Sequence, residues 1–237
     1  MFILATRKTA TPLDFPRCHA ASFGVASLEW QKTKTINAHE SNCSVSTGSS
    51  STSFHSAQDV TLISLQMGLL HEKVVVITGS SGGIGCGCAF ECAAQGAKIV
   101  LHHLGTSQTE QDAKALQDRL RNRFLTTSIV YGADLTDDEG PQKLIDAAVS
   151  RLAHIDVLVN NAAIFKPLPA DQETKSVVAN NAKVNFVALY LVTQAATRHM
   201  VERGKSGSIV TICNTAVVGT SNAAHYAGSK AAGLALM

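Results

Sequence analysis

Apolar and polar positions along this chain change their rhythm near residue 67. Before it, no period of 2 or 3.6 persists, and serine and threonine accumulate through residues 44–53. A stretch of that composition buries too little apolar area to offset the entropy of ordering it. Residues 1–66 are therefore expected to be an unstructured extension with no chemistry of its own. After it, short continuous apolar runs alternate with longer amphipathic segments. The runs at 74–78, 98–103, 128–131, 155–160 and 207–213 read as strands. The segments at 84–95, 108–123, after Thr136 to about 153, within 177–203, and from about 224 onward read as helices. Continuous apolar strands between helices predict a parallel sheet covered on both faces. Right-handed crossovers make it a doubly wound α/β fold over residues 67–237, with its ligand at the carboxyl ends of the strands.

Two other origins compete for residues 1–66. One is a transit peptide, since the segment is rich in Ser and Thr and carries Arg7, Lys8 and Arg17, although Asp14, Glu29, Glu40 and Asp59 argue against it. The other is translated sequence ahead of a true start at Met67. The 237 residues include 45% hydrophobic and 16% charged residues with a net charge of +2, too small a charge to signal a nucleic-acid or membrane-surface partner. No apolar run approaches the roughly 18 residues that span a bilayer. A cytoplasmic setting is expected, with organellar targeting by the N-terminal segment as the variant. The six cysteines form no CxxC framework. Cys88 and Cys92 lie one helical turn apart, and they read as reduced, buried small hydrophobes facing the sheet rather than as a metal site.

Candidate chemistry falls at the strand ends. The first strand runs into Thr78-Gly79-Ser80-Ser81-Gly82-Gly83-Ile84-Gly85, and a helix follows. Strand, glycine turn and helix together set backbone N–H groups and a helix N-terminus against a phosphate. Asp134-Leu135 follows the third strand, where a carboxylate can accept from a nucleobase amine. Asn160-Asn161-Ala162-Ala163 ends the fourth, where buried amides can tie neighbouring strands together. Asn185 is an amide inside an apolar helix, which calls for a specific partner. Tyr226-Ala227-Gly228-Ser229-Lys230 sets a phenol and an ammonium one turn apart. A free tyrosine, with a pKa of about 10, is a weak base at neutral pH, and a nearby cation brings its proton transfer into range.

These five motifs, in this order, resemble the short-chain dehydrogenase/reductase family from about Met67 to the chain end. The resemblance implies a Rossmann fold and hydride transfer between a nicotinamide cofactor and a small carbonyl or alcohol substrate. Tyr226 would be the acid/base, and Lys230 would bind the nicotinamide ribose and depress the tyrosine pKa. Asn185 would hold a water in the proton relay. Gly79, Ser81, Gly83, Ile84 and Gly85 would cradle the cofactor, Asp134 and Leu135 would flank its adenine, and Asn161 would touch it from the fourth strand. A homo-oligomer built on the two long helices is also implied.

Cofactor choice rests on the end of the second strand. No acidic residue occurs between Glu91 and Glu110 to bind a ribose 2′-OH. His103 holds the selecting position, and Thr106 or Ser107 could donate to a 2′-phosphate, so NADP is expected ahead of NAD.

Two departures from the family pattern stand out. The segment Thr211-Ile212-Cys213-Asn214-Thr215-Ala216 lacks the serine that would hydrogen-bond the substrate oxygen. Counting from the strand puts Asn214 in that place, and counting back from Tyr226 puts Cys213 there. The chain also ends within the Tyr226 helix, which leaves the fifth strand as an expected bare apolar edge. A nucleotide-binding protein without catalysis, or a truncated product, is accordingly the rival to an NADP-dependent oxidoreductase.

Overall fold

The computed structural model describes residues 3–8 and 68–236. In chain order the elements are β1 (Ile3–Lys8), β2 (Val74–Ile77), α1 (Gly83–Ala94), β3 (Lys98–His103), α2 (Ser107–Phe124), β4 (Ser128–Gly132), α3 (Gly140–Leu152) and β5 (Val157–Asn160). Then come α4 (Lys175–Ala182), a π-helical turn (Lys183–Ala188), α5 (Leu189–Glu202), β6 (Gly207–Ile212), a 3-10 turn (Thr215–Val218) and α6 (Ala224–Ala235).

The strands form one sheet in the order β1-β6-β5-β2-β3-β4, parallel throughout except that β1 runs antiparallel to β6. β2 lies inside it, and all four of its residues are fully buried. Its side chains alternate between faces. Val75 and Ile77 pack with Ala89 and Ala93 of α1 and Leu116 and Leu120 of α2. Val76 packs with Leu144 and Ile145 of α3 and Val192 and Ala196 of α5. Burying each such aliphatic side chain contributes about 1.5–3 kcal/mol. This explains why β2 carries no polar residue on either face.

From β2 the chain adds β3 and β4 on one side, then crosses back to place β5 and β6 on the other. The loops after β2 and β5 therefore diverge, and a crevice opens at the carboxyl ends of these strands. The opposite end is tied by Asp156. Its Oδ2 accepts from Val74 N at 2.9 Å and lies 3.0 Å from His154 Nε2, and its Oδ1 accepts from Arg203 Nη1 at 3.3 Å. Burial opposes the charge on Asp156, but the Val74 N–H, Arg203, His154 and Lys73 outweigh it and hold its carboxyl below the ordinary range.

Three expectations need correction or limits. Residues 3–8 are not structureless: they form β1, which pairs along β6 from Ile3 opposite Ile212 to Lys8 opposite Gly207. The β6 edge is thus covered rather than bare. The remainder of the 1–66 extension, and Met67, lie outside the described residues. The long helix expected within 177–203 divides into α4, the π-helical turn and α5, and the widened turn contains Asn185. Cys86, Cys88 and Cys92 are half-buried against the α1 side of the core rather than fully buried. Burial pushes the Cys92 thiol up to about 11, so it stays protonated at neutral pH.

Candidate functional site

The crevice between the β2 and β5 loops has a volume of about 530 Å³. Gly79 starts its floor in the left-handed region, at φ +63°, and a Cβ there would sit 2.9 Å from Ala162 Cα. Gly85 is needed for a different reason. A Cβ on it would meet Asn161 Nδ2 at 2.5 Å and Gly79 O at 2.6 Å, so only glycine lets α1 approach the turn. Ser81, Gly82, Gly83 and Ile84 line the opening. A Cβ at Gly82 or Gly83 would meet nothing within 4 Å, and Gly82 gives α1 no side-chain cap. An uncapped helix N-terminus beside open backbone at a crevice suits a pyrophosphate. The residues present therefore fit a dinucleotide.

Neutral side chains hold this turn. Thr78 Oγ1 accepts from Asn161 N at 2.9 Å and Ala162 N at 3.0 Å. Asn161 Nδ2 returns donors to Thr78 O at 2.8 Å and Gly79 O at 2.9 Å. The amide thus ties β5 to the glycine turn, as its place at a buried strand end predicts. His102 completes the frame. Its Nδ1 accepts from Gly79 N at 3.0 Å, so its Nε2 carries the hydrogen and donates to Ala133 O at 3.0 Å. Burial lowers the His102 pKa to about 4, and the ring is neutral near pH 7. One imidazole thereby joins the ends of β2, β3 and β4.

His102, not His103, lines the crevice. The expected selecting residue, His103, is 3% exposed and packs its ring over Gly132. Its Nδ1 accepts from Gly105 N at 3.1 Å and lies 3.2 Å from Thr109 Oγ1, which makes it a structural part of the β3–α2 turn. The pleat decides this, since adjacent strand residues point to opposite faces. Asp134 and Leu135 both line the crevice, and Asp134 Oδ1 accepts from Thr136 N at 2.8 Å.

A second cavity, of about 430 Å³, is lined by Phe165, Asn214, Thr215, Thr220 and Tyr226 among others. Here the two alternatives, Asn214 and Cys213, differ in exposure. Cys213 is buried with its thiol toward Lys230 O at 3.7 Å, while Asn214 is exposed in the cavity. Asn214 Oδ1 accepts from Ala216 N at 2.9 Å and Thr215 Oγ1 at 3.3 Å, which leaves its NH₂ group to act as the donor. The Tyr226 ring packs on Phe165 with centroids 4.6 Å apart. Burial raises the Tyr226 pKa, and a hydrogen bond with Asn214 pulls the other way.

Lys230 is anchored to the backbone at the end of β6. Its Nζ donates to Ile212 O at 3.0 Å and lies 5.8 Å from the Tyr226 ring centroid. The lysine is 6% exposed, and burial lowers its own pKa. Asn185 is also fully engaged. Its Oδ1 accepts from Ile164 N at 2.8 Å, and its Nδ2 donates to Ile164 O at 2.9 Å and contacts Ser229 Oγ at 3.1 Å. That amide is the specific partner-bearing residue its position calls for, and it joins the β5 loop to α6.

The sequence reading missed His102, Glu173 and His225. A signal existed for the first, a polar residue inside a continuous apolar strand. No local pattern couples Glu173 to His225, which are 52 residues apart.

The model of the short chain dehydrogenase family matches residues 73–237. The chain belongs to that family. It is 38% identical to an L-rhamnose 1-dehydrogenase (NAD(P)(+)) of Azotobacter vinelandii, over 71% of this chain and 66% of that protein. It is 34% identical to a 5-keto-D-gluconate 5-reductase of Escherichia coli, over 69% of this chain and 62% of that one. Among solved structures, an NAD+-bound xylitol dehydrogenase superposes with a TM-score of 0.65 at 28% identity, covering 71% of this chain and 63% of the other. The chain thus spans about two thirds of the length of the curated relatives it matches.

Proposed function

We propose that this chain is an oxidoreductase that binds a nicotinamide dinucleotide in the β2–β5 crevice and interconverts an alcohol and a carbonyl in the adjoining cavity. One observation carries the reading: consecutive residues Ile164 and Phe165 line the crevice and the Tyr226 cavity respectively, so the two spaces share a wall. A bound nicotinamide supplies or accepts the hydride. Tyr226 holds the proton that the substrate oxygen gains on reduction and takes it back on oxidation. Its raised pKa keeps the phenol protonated at neutral pH, ready for the reductive direction. Lys230, within cation–π range of the ring, favours the phenolate left behind. Asn214 serves where a serine would, its NH₂ group donating to the oxygen as charge develops. Asn185 positions the β5 loop against α6.

The substrate we propose is a polyhydroxylated sugar or sugar acid. Two relatives are named for rhamnose and keto-gluconate, and the cavity here combines the polar Asn214, Thr215 and Thr220 with an aromatic wall. For the cofactor we propose NADP, with NAD also accepted. No carboxylate ends β3, and the side chain presented there is a neutral imidazole, which does not repel a 2′-phosphate. A second reading, cofactor binding without turnover, is favoured by the engagement of Lys230 with Ile212 O. The test pairs NADPH and NADH binding, followed by fluorescence, with a screen of aldoses and keto-aldonates. Turnover is expected to fall about 10²–10⁴-fold in Tyr226→Phe while cofactor binding is kept. Binding without Tyr226-dependent turnover selects the second reading, and tighter NADH than NADPH binding reverses the cofactor preference.

A further inference from the structure

The helix that carries Tyr226 and Lys230 starts without a cap of its own: Ala223 offers no side-chain acceptor to the first-turn N–H groups of α6. The acceptor comes from a distant segment. Glu173 Oε1 accepts from His225 N at 3.3 Å and meets His225 Nδ1 at 2.6 Å. The Ala224 N–H adds a smaller contribution favouring the charge of the same carboxylate. An ionised carboxylate only accepts, so the imidazole carries the hydrogen on Nδ1. The His225 and Glu173 side chains are 1% and 8% exposed, shielded from competing water. The bond to the His225 ring is the largest cause holding the Glu173 carboxyl below its ordinary range, with the backbone N–H groups adding to it and burial opposing. The carboxylate is thus charged at neutral pH, the charge a helix N-terminus favours.

Glu173 ends the segment that leads from β5 to α4. That segment also carries Phe165, whose ring packs on Tyr226, and Leu168, whose N–H donates to Asn222 O at 2.8 Å. The segment therefore grips the start of α6 at Asn222 and again at His225, the residue before Tyr226. Tyr226 is the third residue of α6, within the turn that frays most readily when its N–H groups lack acceptors.

We propose that Glu173 is a positioning residue for Tyr226: it caps α6 from outside and grips His225, and so fixes the phenol between Phe165 and Asn214. The proposal rests on the reading of Tyr226 as acid/base. Among the described residues, His225 is the titratable group that acts on Glu173.

The test uses the full chain as wild type, Glu173→Ala, Glu173→Gln and His225→Leu. Glutamine keeps an acceptor oxygen for the imidazole and both N–H groups. Glu173→Ala is expected to lower kcat by up to about 10²-fold with cofactor affinity unchanged, and Glu173→Gln to restore most of it. A second readout needs no turnover. In a chain with Tyr131→Phe and Tyr190→Phe, the ¹³C-tyrosine NMR signal comes from Tyr226 alone. It is expected to shift and broaden in Glu173→Ala, less in His225→Leu, and to stay in place in Glu173→Gln. A lowered Tm with kcat and the Tyr226 signal both unchanged overturns the proposal, as does an unmoved signal in folded His225→Leu. Absence of wild-type turnover defeats the acid/base reading instead, and the NMR signal still decides whether Glu173 positions the ring.

Discussion

Around the glycine turn the ties are made by neutral groups, whereas around Tyr226 ionised groups join the neutral ones. Thr78, Asn161 and His102 frame the crevice through a hydroxyl, an amide and an uncharged imidazole. Glu173 and Lys230 frame the start and the middle of α6 through a carboxylate and an ammonium. Neutral hydrogen bonds keep one geometry across a wide pH range, which suits a site that must hold a dinucleotide whatever the protonation state of its partner. On the proposed reading the Tyr226 side moves a proton, and charged neighbours are how such a site tunes proton affinity.

The contrast can be broken first at Gly85. Gly85→Ala forces a Cβ against Asn161 Nδ2 and Gly79 O, an overpacking cost of about 3 kcal/mol. Cofactor affinity, measured by NADPH fluorescence titration, is expected to fall by about 10²-fold, while Tyr226 keeps its NMR signal. Loss of both would show that the two regions are one rigid unit.

His102 sharpens the comparison through pH. Its folded pKa, about 4, lies below the ordinary histidine value, so the unfolded chain binds the extra proton first. The folded state is accordingly unaffected by His102 above about pH 6.5 and loses stability as pH falls from there to about 4, by roughly 3 kcal/mol. Urea unfolding across this window is expected to show that decline in wild type and a flatter profile in His102→Leu. The same substitution leaves Gly79 N–H and Ala133 O unpaired and costs about 1–3 kcal/mol at neutral pH.

Asp156 gives the smallest effect and serves as the reference, because it lies at the other end of the strands. Asp156→Ala strands the Val74 N–H and is expected to cost about 2 kcal/mol in urea unfolding, with cofactor affinity retained. The carboxyl is depressed in the folded state, so its contribution is present above the ordinary aspartate pKa and disappears as pH falls through the depressed value.

Much of the fold was legible along the chain. β2, β3 and β5 announce themselves as continuous apolar runs, since a strand buried on both faces has no polar side to show. The glycine turn, Asp134, Asn161 and Tyr226 could be placed because each belongs to a short motif with fixed spacing. The β1–β6 pairing could not, because the two strands lie far apart in the chain and pair only through their backbones. That His102 rather than His103 lines the crevice could not be read either, because it depends on which face of β3 meets the crevice. The difference in burial between Asn214 and Cys213 was not legible either.

By itself, then, the sequence determined the doubly wound sheet, the position of the dinucleotide turn and the order of the site motifs, because these follow from local periodicity and spacing. Tertiary structure alone decided that His102 joins three strand ends, that Lys230 turns to Ile212 O, and that Glu173 caps the helix of Tyr226. Each of these is a contact between segments distant along the chain, and their distance and burial are set by how the layers pack rather than by any local preference of the residues involved.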